Sequence, residues 1–392
     1  MSGASKLARM RAAPGCAPPE KPMNPLVTIV VPCYKLAHLL PQCVQSILKQ
    51  SYANFEILIM DNCSPDNTPE VAASFNDPRV KHIRNETNIG HVRNFNKGIT
   101  MAAGKYVMLI SPDDWLGSEQ SLAHYVEMLE KNPDAGFAFC RAIEVHGNKE
   151  MGIASWTDLG KEDRVWEGAN FLMQLVQGDC VVLSAAMVRK ECYEKYGMFS
   201  LEMPHANDWF LWCVLSLHHK VIYLAEPMMY VRMHEESLTS AFNQGGNPLC
   251  MIDELTALWT AASLAEKAGV ISNRRAFNES IATMAARALT YGQRGRSLPG
   301  LSETDLETLL RKHVKDADDE KDFRARVQLV VGDEEFWHGE HKKSAGAYWK
   351  AIQLRPWWMK AWAKYLLLRT GSVGLHVRKL LLNQRESRAV AR

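Results

Sequence analysis

The chain has 392 residues, 47% of them hydrophobic and 23% charged, ordinary fractions for a globular protein. A formal net charge of +2 gives no global pull toward nucleic acid, so no nucleic-acid partner is expected, and no apolar run is long enough to cross a bilayer. The nine cysteines are odd in number and form no Cys-x-x-Cys pair, which argues against a zinc site and a disulfide scaffold and for reduced thiols in the cytoplasm.

Residues 1–24 are rich in Ala, Gly, Ser and Pro, lack the apolar core of a secretory signal, and read as a disordered leader. Residues 26–31, Leu-Val-Thr-Ile-Val-Val, read as a β-branched buried strand that ends in Pro32-Cys33-Tyr34. A helix follows, with Leu40, Val44, Ile47 and Leu48 on one face. Residues 55–60 form a second strand, closed by the polar run Asp61-Asn62-Cys63-Ser64-Pro65-Asp66-Asn67. Thr68 is placed to cap the next helix, with Pro69 at its first position. A short strand at 80–83 and a helix through Phe95, Ile99 and Ala102 lead to residues 106–110. That run is apolar on both faces and suits a central strand covered by helices on each side. Pro112 ends it and delivers Asp113 and Asp114 at the strand's carboxyl end, where open α/β sheets bind ligands. By themselves these acids also fit a capped turn, but two adjacent carboxylates repel unless a cation or solvent compensates them.

Strand and helix alternate from 26 to 129, which predicts a doubly wound, mostly parallel α/β sheet. The first strand–helix junction carries no Gly-x-Gly-x-x-Gly, and no Gly-x-x-x-x-Gly-Lys occurs anywhere, so a nicotinamide dehydrogenase and a P-loop NTPase are disfavoured. Further on, a helix at 118–131, a strand at 137–143, a long polar loop at 147–168, a helix at 171–176 and a strand at 181–188 are expected. Asp208 falls at the start of a helix faced by Phe210, Val214 and Leu217, either as an acid complementing the helix dipole or as a carboxylate at a pocket wall. A strand at 220–224 precedes a segment containing His234, a residue type that alone is more often hydrogen-bonded than ligating. From 248 onward the pattern is all-α, with Ser302 as a cap. The spacing of Gly339, Tyr348, Ala351 and Pro356 is like part of one tetratricopeptide unit over 332–365. Trp349, Trp357, Trp358 and Trp362 are expected to form a small helical core. Arg378, Lys379, Arg385 and Arg388 make a basic end that could touch anionic lipid or be a solvated helix. The division expected is a leader at 1–24, a catalytic domain at 25–245 and a helical region at 246–392.

Taken in order, these segments resemble the family 2 glycosyltransferases of the GT-A fold over residues 26–237. Pro32-Cys33-Tyr34 is similar to the family's opening Val-Pro-x-Tyr-Asn, and residues 60–66 to its Val-Asp-Asp-Gly-Ser-Thr-Asp loop. Asn88-Ile-Gly90 with Arg93-Asn94 and Gly98 resembles its Asn-x-Gly…Arg-Asn-x-Gly element, and Ser111-Pro-Asp113-Asp114 sits at its Asp-x-Asp motif. Gly197-x-Phe199 with Asn207-Asp208-Trp209, and Tyr230-Val-Arg232-Met-His234-x-x-Ser237, resemble its two closing elements. The resemblance implies transfer of one sugar from a nucleotide sugar, UDP-linked by expectation, to a glycan or lipid-linked acceptor, with inversion. It implies that Pro32, Tyr34, Asp61, Asn62, Arg93, Asp113 and Asp114 bind the nucleotide sugar. Asp113 and His234 would ligate Mn²⁺ or Mg²⁺, and Asp208 would be the base. Trp115 and Trp209 are candidates for stacking on sugar faces or for the core. The pattern departs from the family at Asn62, Ser111 and Asn207, where acids are usual. Those departures keep open a non-catalytic nucleotide-sugar-binding or scaffold protein on the same fold. Gln293-Arg294-Gly295-Arg296 is not the Gln-x-x-Arg-Trp of processive synthases. The setting expected is cytoplasmic, peripheral at the inner membrane face at most.

Overall fold

The computed structural model describes residues 24–235, 237, 240, 248–293, 300–370 and 374. The expected leader up to residue 23, the stretch 294–296 and the basic residues Arg378, Lys379, Arg385 and Arg388 lie outside the described residues. The first half alternates as the hydrophobic pattern requires. It runs β1 (Val27–Cys33), α1 (Leu40–Leu48), β2 (Phe55–Asp61), α2 (Thr68–Ala73), β3 (Val80–Arg84), α3 (His91–Met101), β4 (Tyr106–Leu109), β5 (Trp115–Leu116) and α4 (Ser121–Lys131). Then come β6 (Ala135–His146), β7 (Lys149–Ile153), β8 (Arg164–Trp166), α5 (Gly168–Leu175), β9 (Ala186–Arg189), α6 (Lys190–Tyr196), α7 (Asn207–Ser216) and β10 (Lys220–Met233).

The sheet order is β3-β2-β1-β4-β9-β6-β10-β5, with β7 on β6 and β8 on β10. Pairing is parallel through β3, β2, β1 and β4 and again between β6 and β10. β9 lies antiparallel between the two parallel blocks. Alternation along β1 explains why its run is apolar throughout: Val27, Ile29 and Val31 pack with Leu40, Val44 and Ile47 of α1 and Leu122 of α4. Val30, pointing the other way, packs with Val92, Phe95 and Ile99 of α3. Each such buried side chain contributes about 1.5–3 kcal/mol of transfer free energy. The approach of α3 is close enough that a Cβ on Gly98 would lie 2.4 Å from Val30 Cγ1.

Four local expectations change. Residues 147–168 are not one loop: the chain forms β7 and β8, with a 3-10 turn at Ser155–Thr157 between them. Residues 181–188 are not one strand: a 3-10 turn at Leu183–Ala185 precedes β9. β10 does not stop at 224; it continues past an irregularity around Pro227 to Met233. Thr68 is not a cap: α2 starts there, with Asn67 as N-cap, and the Thr68 hydroxyl donates to Asp66 Oδ1 at 2.6 Å.

The helical region holds α8 (Leu249–Lys267), α9 (Arg275–Gln293), α10 (Glu303–His313), α11 (Ala317–Trp337), α12 (His341–Leu354) and α13 (Met359–Arg369). Ser302 caps α10 in a reciprocal box with Asp305. Leu255, Leu258 and Trp259 of α8, Phe277 and Ile281 of α9 and Phe323 of α11 belong to the same hydrophobic cluster as Val30 and Trp212. One core therefore runs from the sheet into the helices. A separate small cluster around Tyr348, Ala351, Ile352 and Ala361 joins α11, α12 and α13. Of the four tryptophans, Trp358 and Trp362 pack against it, whereas Trp357 is 81% exposed. Among the described residues, no helix is long and apolar enough to cross a membrane.

Candidate active site

The carboxyl end of β4 opens into the site. After Ile110, whose amide donates to Val30 O at 2.9 Å, the chain turns at once: Asp114 N donates to Ser111 O at 3.0 Å. The two residues of β5 then pair antiparallel with β10, Trp115 opposite Tyr230 and Leu116 opposite Met229. This short ladder brings together segments more than a hundred residues apart. Residues before Trp115 are carried toward residues after Tyr230, so His234 Nε2 lies 2.9 Å from Asp113 Oδ2. Arg232 locks the arrangement. Its amide donates to Asp114 Oδ1 at 3.1 Å, and its guanidinium donates to Gly147 O at 2.8 Å and Gln42 Oε1 at 2.7 Å. It also lies 4.8 Å from the centre of the Trp115 ring, which stacks on Tyr230 at 5.1 Å and 7°. Trp115 thus packs on Tyr230 and Arg232 and is not among the residues that line the cleft.

A cleft of about 720 Å³ opens here, and Asp113, Asp114 and Asp208 all line it. Pro32, Tyr34 and Asn62 line it as well, with Trp156 and Trp209. Burial, then the neighbouring Asp113, pushes the Asp114 carboxyl well above the usual carboxylate range. Burial likewise raises Asp208, whose Oδ1 accepts from the Trp209 amide at 2.8 Å. Trp209 is buried and donates its indole N–H to Leu175 O, tying α7 to α5.

Three residues expected in the set are not among those lining the cleft: Arg93, Asp61 and His234, the last of which meets it only through Asp113. Arg93 is exposed and is not among the lining residues. Asp61 is fully buried beneath the loop that follows β2. Its Oδ1 accepts from Ser64 N at 2.7 Å and its Oδ2 from Arg84 Nη1 at 2.6 Å, so both oxygens are engaged by protein. Asn62 touches the cleft edge but is mostly consumed in an amide network. Its Oδ1 accepts from Asn85 Nδ2 and Ile89 N, both at 3.0 Å, and its Nδ2 donates to Asn88 Oδ1 at 2.9 Å. Asn207 is buried and donates to Pro204 O at 2.5 Å, holding the turn before α7.

Other lining residues were not read from the sequence: Asp179, Ser184, His205, Glu254 and Trp156. None belongs to a motif that a single sequence displays. Burial, then the charge of Asp208, pushes Asp179 well above the carboxylate range.

The donors present fit a hard divalent cation. Asp113 Oδ1 is buried without a hydrogen-bond partner, beside an oxygen that already faces an imidazole nitrogen. An orphaned carboxylate oxygen is costly unless something outside the protein satisfies it. Among the described residues no cluster of three or more His, Cys, Asp or Glu could hold a metal by itself. With Asp113 and His234 as ligands, the remaining positions would fall to water and to a bound diphosphate, as suits Mn²⁺ or Mg²⁺.

Comparison with known proteins agrees with this geometry. Residues 28–197 match the family described as Glycosyl transferase family 2. Glycosyltransferase GlyG of Streptococcus pneumoniae is 35% identical over 114 residues, 29% of this chain and 38% of that one. The Escherichia coli UDP-Glc:alpha-D-GlcNAc-diphosphoundecaprenol beta-1,3-glucosyltransferase WfgD is 34% identical over 128 residues, 32% of this chain and 49% of that one. The match thus spans less than half the length of either relative. The solved structure of S. aureus TarS 1-349 in complex with UDP-GlcNAc superposes with a TM-score of 0.56, covering 82% of this chain and 89% of that one. At 16% identity that likeness shows the fold: a GT-A-like sheet followed by helices. By the match over 28–197, carried on this strand order, that segment of the chain belongs to glycosyl transferase family 2.

Proposed function

We propose that the cleft transfers one sugar per encounter from a nucleoside diphosphate sugar, UDP-linked, to a hydroxyl of a glycan or lipid-linked acceptor, with inversion at the anomeric carbon. The observation that carries the reading is that Asp113 and Asp208, ninety-odd residues apart, line one cavity. In this reading Pro32, Tyr34 and Asn62 border the nucleotide, and Asp113 with His234 would hold Mn²⁺ or Mg²⁺. Such a cation, when bound, offsets the charge that develops on the diphosphate leaving group. Burial pushes the Asp114 carboxyl up, toward the form that adds no negative charge facing the diphosphate. The acceptor oxygen attacks the anomeric carbon as the bond to the diphosphate breaks, and the hydroxyl proton passes to Asp208. A single base and direct displacement give inversion. Burial raises the Asp208 pKa toward working pH, which is where a general base is most effective. Residues 25–245 carry this chemistry, and Glu254 of α8 adds to the lining of the cleft. The lipid-linked acceptor is supported by the name of the WfgD relative, and the UDP donor by that name and the ligand of the TarS structure.

The test is turnover of a panel of UDP-, GDP- and dTDP-sugars with Mn²⁺, for the wild type and Asp208→Asn. Removing a general base lowers the rate by about 10²–10⁴-fold while Mn²⁺-dependent UDP binding persists. Equal rates for the two proteins would remove Asp208 as the base. Tight Mn²⁺-dependent UDP binding without turnover of any donor would favour the binding-protein reading.

A further inference from the structure

The acceptor side of the cleft is built partly from the helical region. Glu254 of α8 lines the cavity together with His205, Asp208 and Asp179. Residues just before α7 are fastened to α8 by two polar contacts: His205 N donates to Asp253 Oδ2 at 2.8 Å, and His205 Nε2 lies 3.2 Å from Glu254 Oε1. Met203 and Ala206 pack with Ala257 of α8, and Phe210 joins them, so the strap is held by apolar contact as well. From the opposite side, His91 of α3 meets Pro204 O through its Nε2 at 2.9 Å. His205 is therefore held at its backbone amide and at Nε2. Its side chain is only 16% exposed, so bulk water screens its charge little.

The charged groups that act on Asp208 come from three elements. They are His205 in the segment before α7, Asp179 after α5, and Glu254 on α8. Of these three only the imidazole can carry positive charge. Burial pulls the His205 pKa down, but the bond to Glu254 and the charges of Glu254, Asp208 and Asp253 outweigh it and lift it above the ordinary histidine value. Without a cation, three carboxyl groups on one wall would favour protonation of Asp208.

We propose that His205, held by Asp253 and Glu254 of α8 in the cleft it shares with Asp208 and Asp179, is the positioning residue of the acceptor side: its imidazolium offsets the carboxyl groups gathered there and favours the ionised form of Asp208. The helical region is on this view part of the catalytic cleft. The inference rests on the reading of Asp208 as the base.

The experiment uses the full chain with ¹³C-labelled histidine, and the His205 resonance is assigned by its loss in His205→Gln. Its titration midpoint in the wild type lies above the ordinary value of about 6.5. In Glu254→Gln the midpoint falls, and in Asp208→Asn it falls by about half a unit or more, because an opposite charge has been removed. An unchanged midpoint in Asp208→Asn would overturn the pairing even if that variant has lost turnover. Unchanged turnover in Asp208→Asn would instead overturn the base assignment. The second measurement is the pH profile of Mn²⁺-dependent UDP-glucose and UDP-N-acetylglucosamine hydrolysis in His205→Gln, whose amide can still donate to Glu254. Loss of the cation raises the pKa of the base, so the acid limb of kcat moves up by about one pH unit, with KM for the donor within about twofold. A limb that stays in place would refute the assignment.

Discussion

The substitution Asn62→Asp restores the acid usual in the family at this position, and the structure says it will cost stability. Asn62 is 4% exposed and uses both ends of its amide. Its carbonyl oxygen accepts from Asn85 and Ile89, contacts a carboxylate oxygen can keep. Its Nδ2, however, donates to Asn88 Oδ1 at 2.9 Å, and an ionised Asp has nothing to donate. Asn88 cannot simply flip, because the same Oδ1 accepts from Gly90 N at 2.9 Å. Two acceptors are then held face to face, that of residue 62 buried and that of Asn88 at the surface. The loss is about 1–3 kcal/mol, the cost of a buried polar group left without its partner. For 392 residues unfolding cooperatively, 2 kcal/mol is about 2–3 °C in Tm, taking about 2.1 cal/mol/K per residue for the unfolding entropy. The pH dependence is diagnostic. Burial beside Asn88 raises the folded-state pKa of the new carboxyl above its unfolded value, so the folded variant binds more protons between the two. Its stability relative to wild type then falls as pH rises through the folded pKa and recovers on acidification, when the protonated carboxyl can donate to Asn88. Thermal unfolding of both proteins at several pH values checks this. A variant as stable as wild type at pH 8, or a deficit that grows toward pH 5, would refute the reasoning.

Two further outcomes test the helical region. Gly332→Ala places a Cβ 2.3 Å from Cε1 of Tyr348, which is fully buried and hydrogen-bonded to Asp333, so the α11–α12 contact must shift at a cost of about 1–3 kcal/mol, read as a lowered denaturation midpoint. His313 stacks on Trp259 with ring centres 5.3 Å apart, and burial holds its pKa down to about 4. The unfolded chain therefore takes up a proton near pH 6.5 that the folded chain refuses, so this stability is complete above that pH and is lost as pH falls toward 4. Partial exposure limits the effect to about 2 kcal/mol, and His313→Phe, which keeps a ring on Trp259, should flatten that part of the Tm profile.

What could be read in the sequence divides along a physical line. The strands of the first half were legible because their apolar runs are local consequences of burial on both faces; Val27, Ile29 and Val31 need one helical layer and Val30 needs the other. The acids at 113 and 114 were legible because Pro112 must end the strand and the strand end must face a crevice. The loop at 147–168 was misread because β7 and β8 are short edge strands, mostly exposed, whose polar sequences carry no burial signal. The strand at 181–188 was misread because a buried apolar run has no periodicity to show where a 3-10 turn interrupts it.

The site itself turns on contacts that no local pattern records. Asp61 and Asn62 stand side by side in the chain and look alike as polar loop residues, yet one is closed off by Arg84 and Ser64 and the other bonds two asparagines and a backbone amide. What separates them is the distant register of β3 beside β2, which sets Arg84 opposite Asp61. Asp113 and His234 meet because a two-residue strand, too short to carry any sequence signature, fixes Trp115 against Tyr230. Loosening that ladder would separate the two side chains without altering either of them. The organising element of the site is therefore the β5–β10 pairing with Arg232 across it, and the identities of Asp113 and His234 have chemical meaning only because that pairing holds.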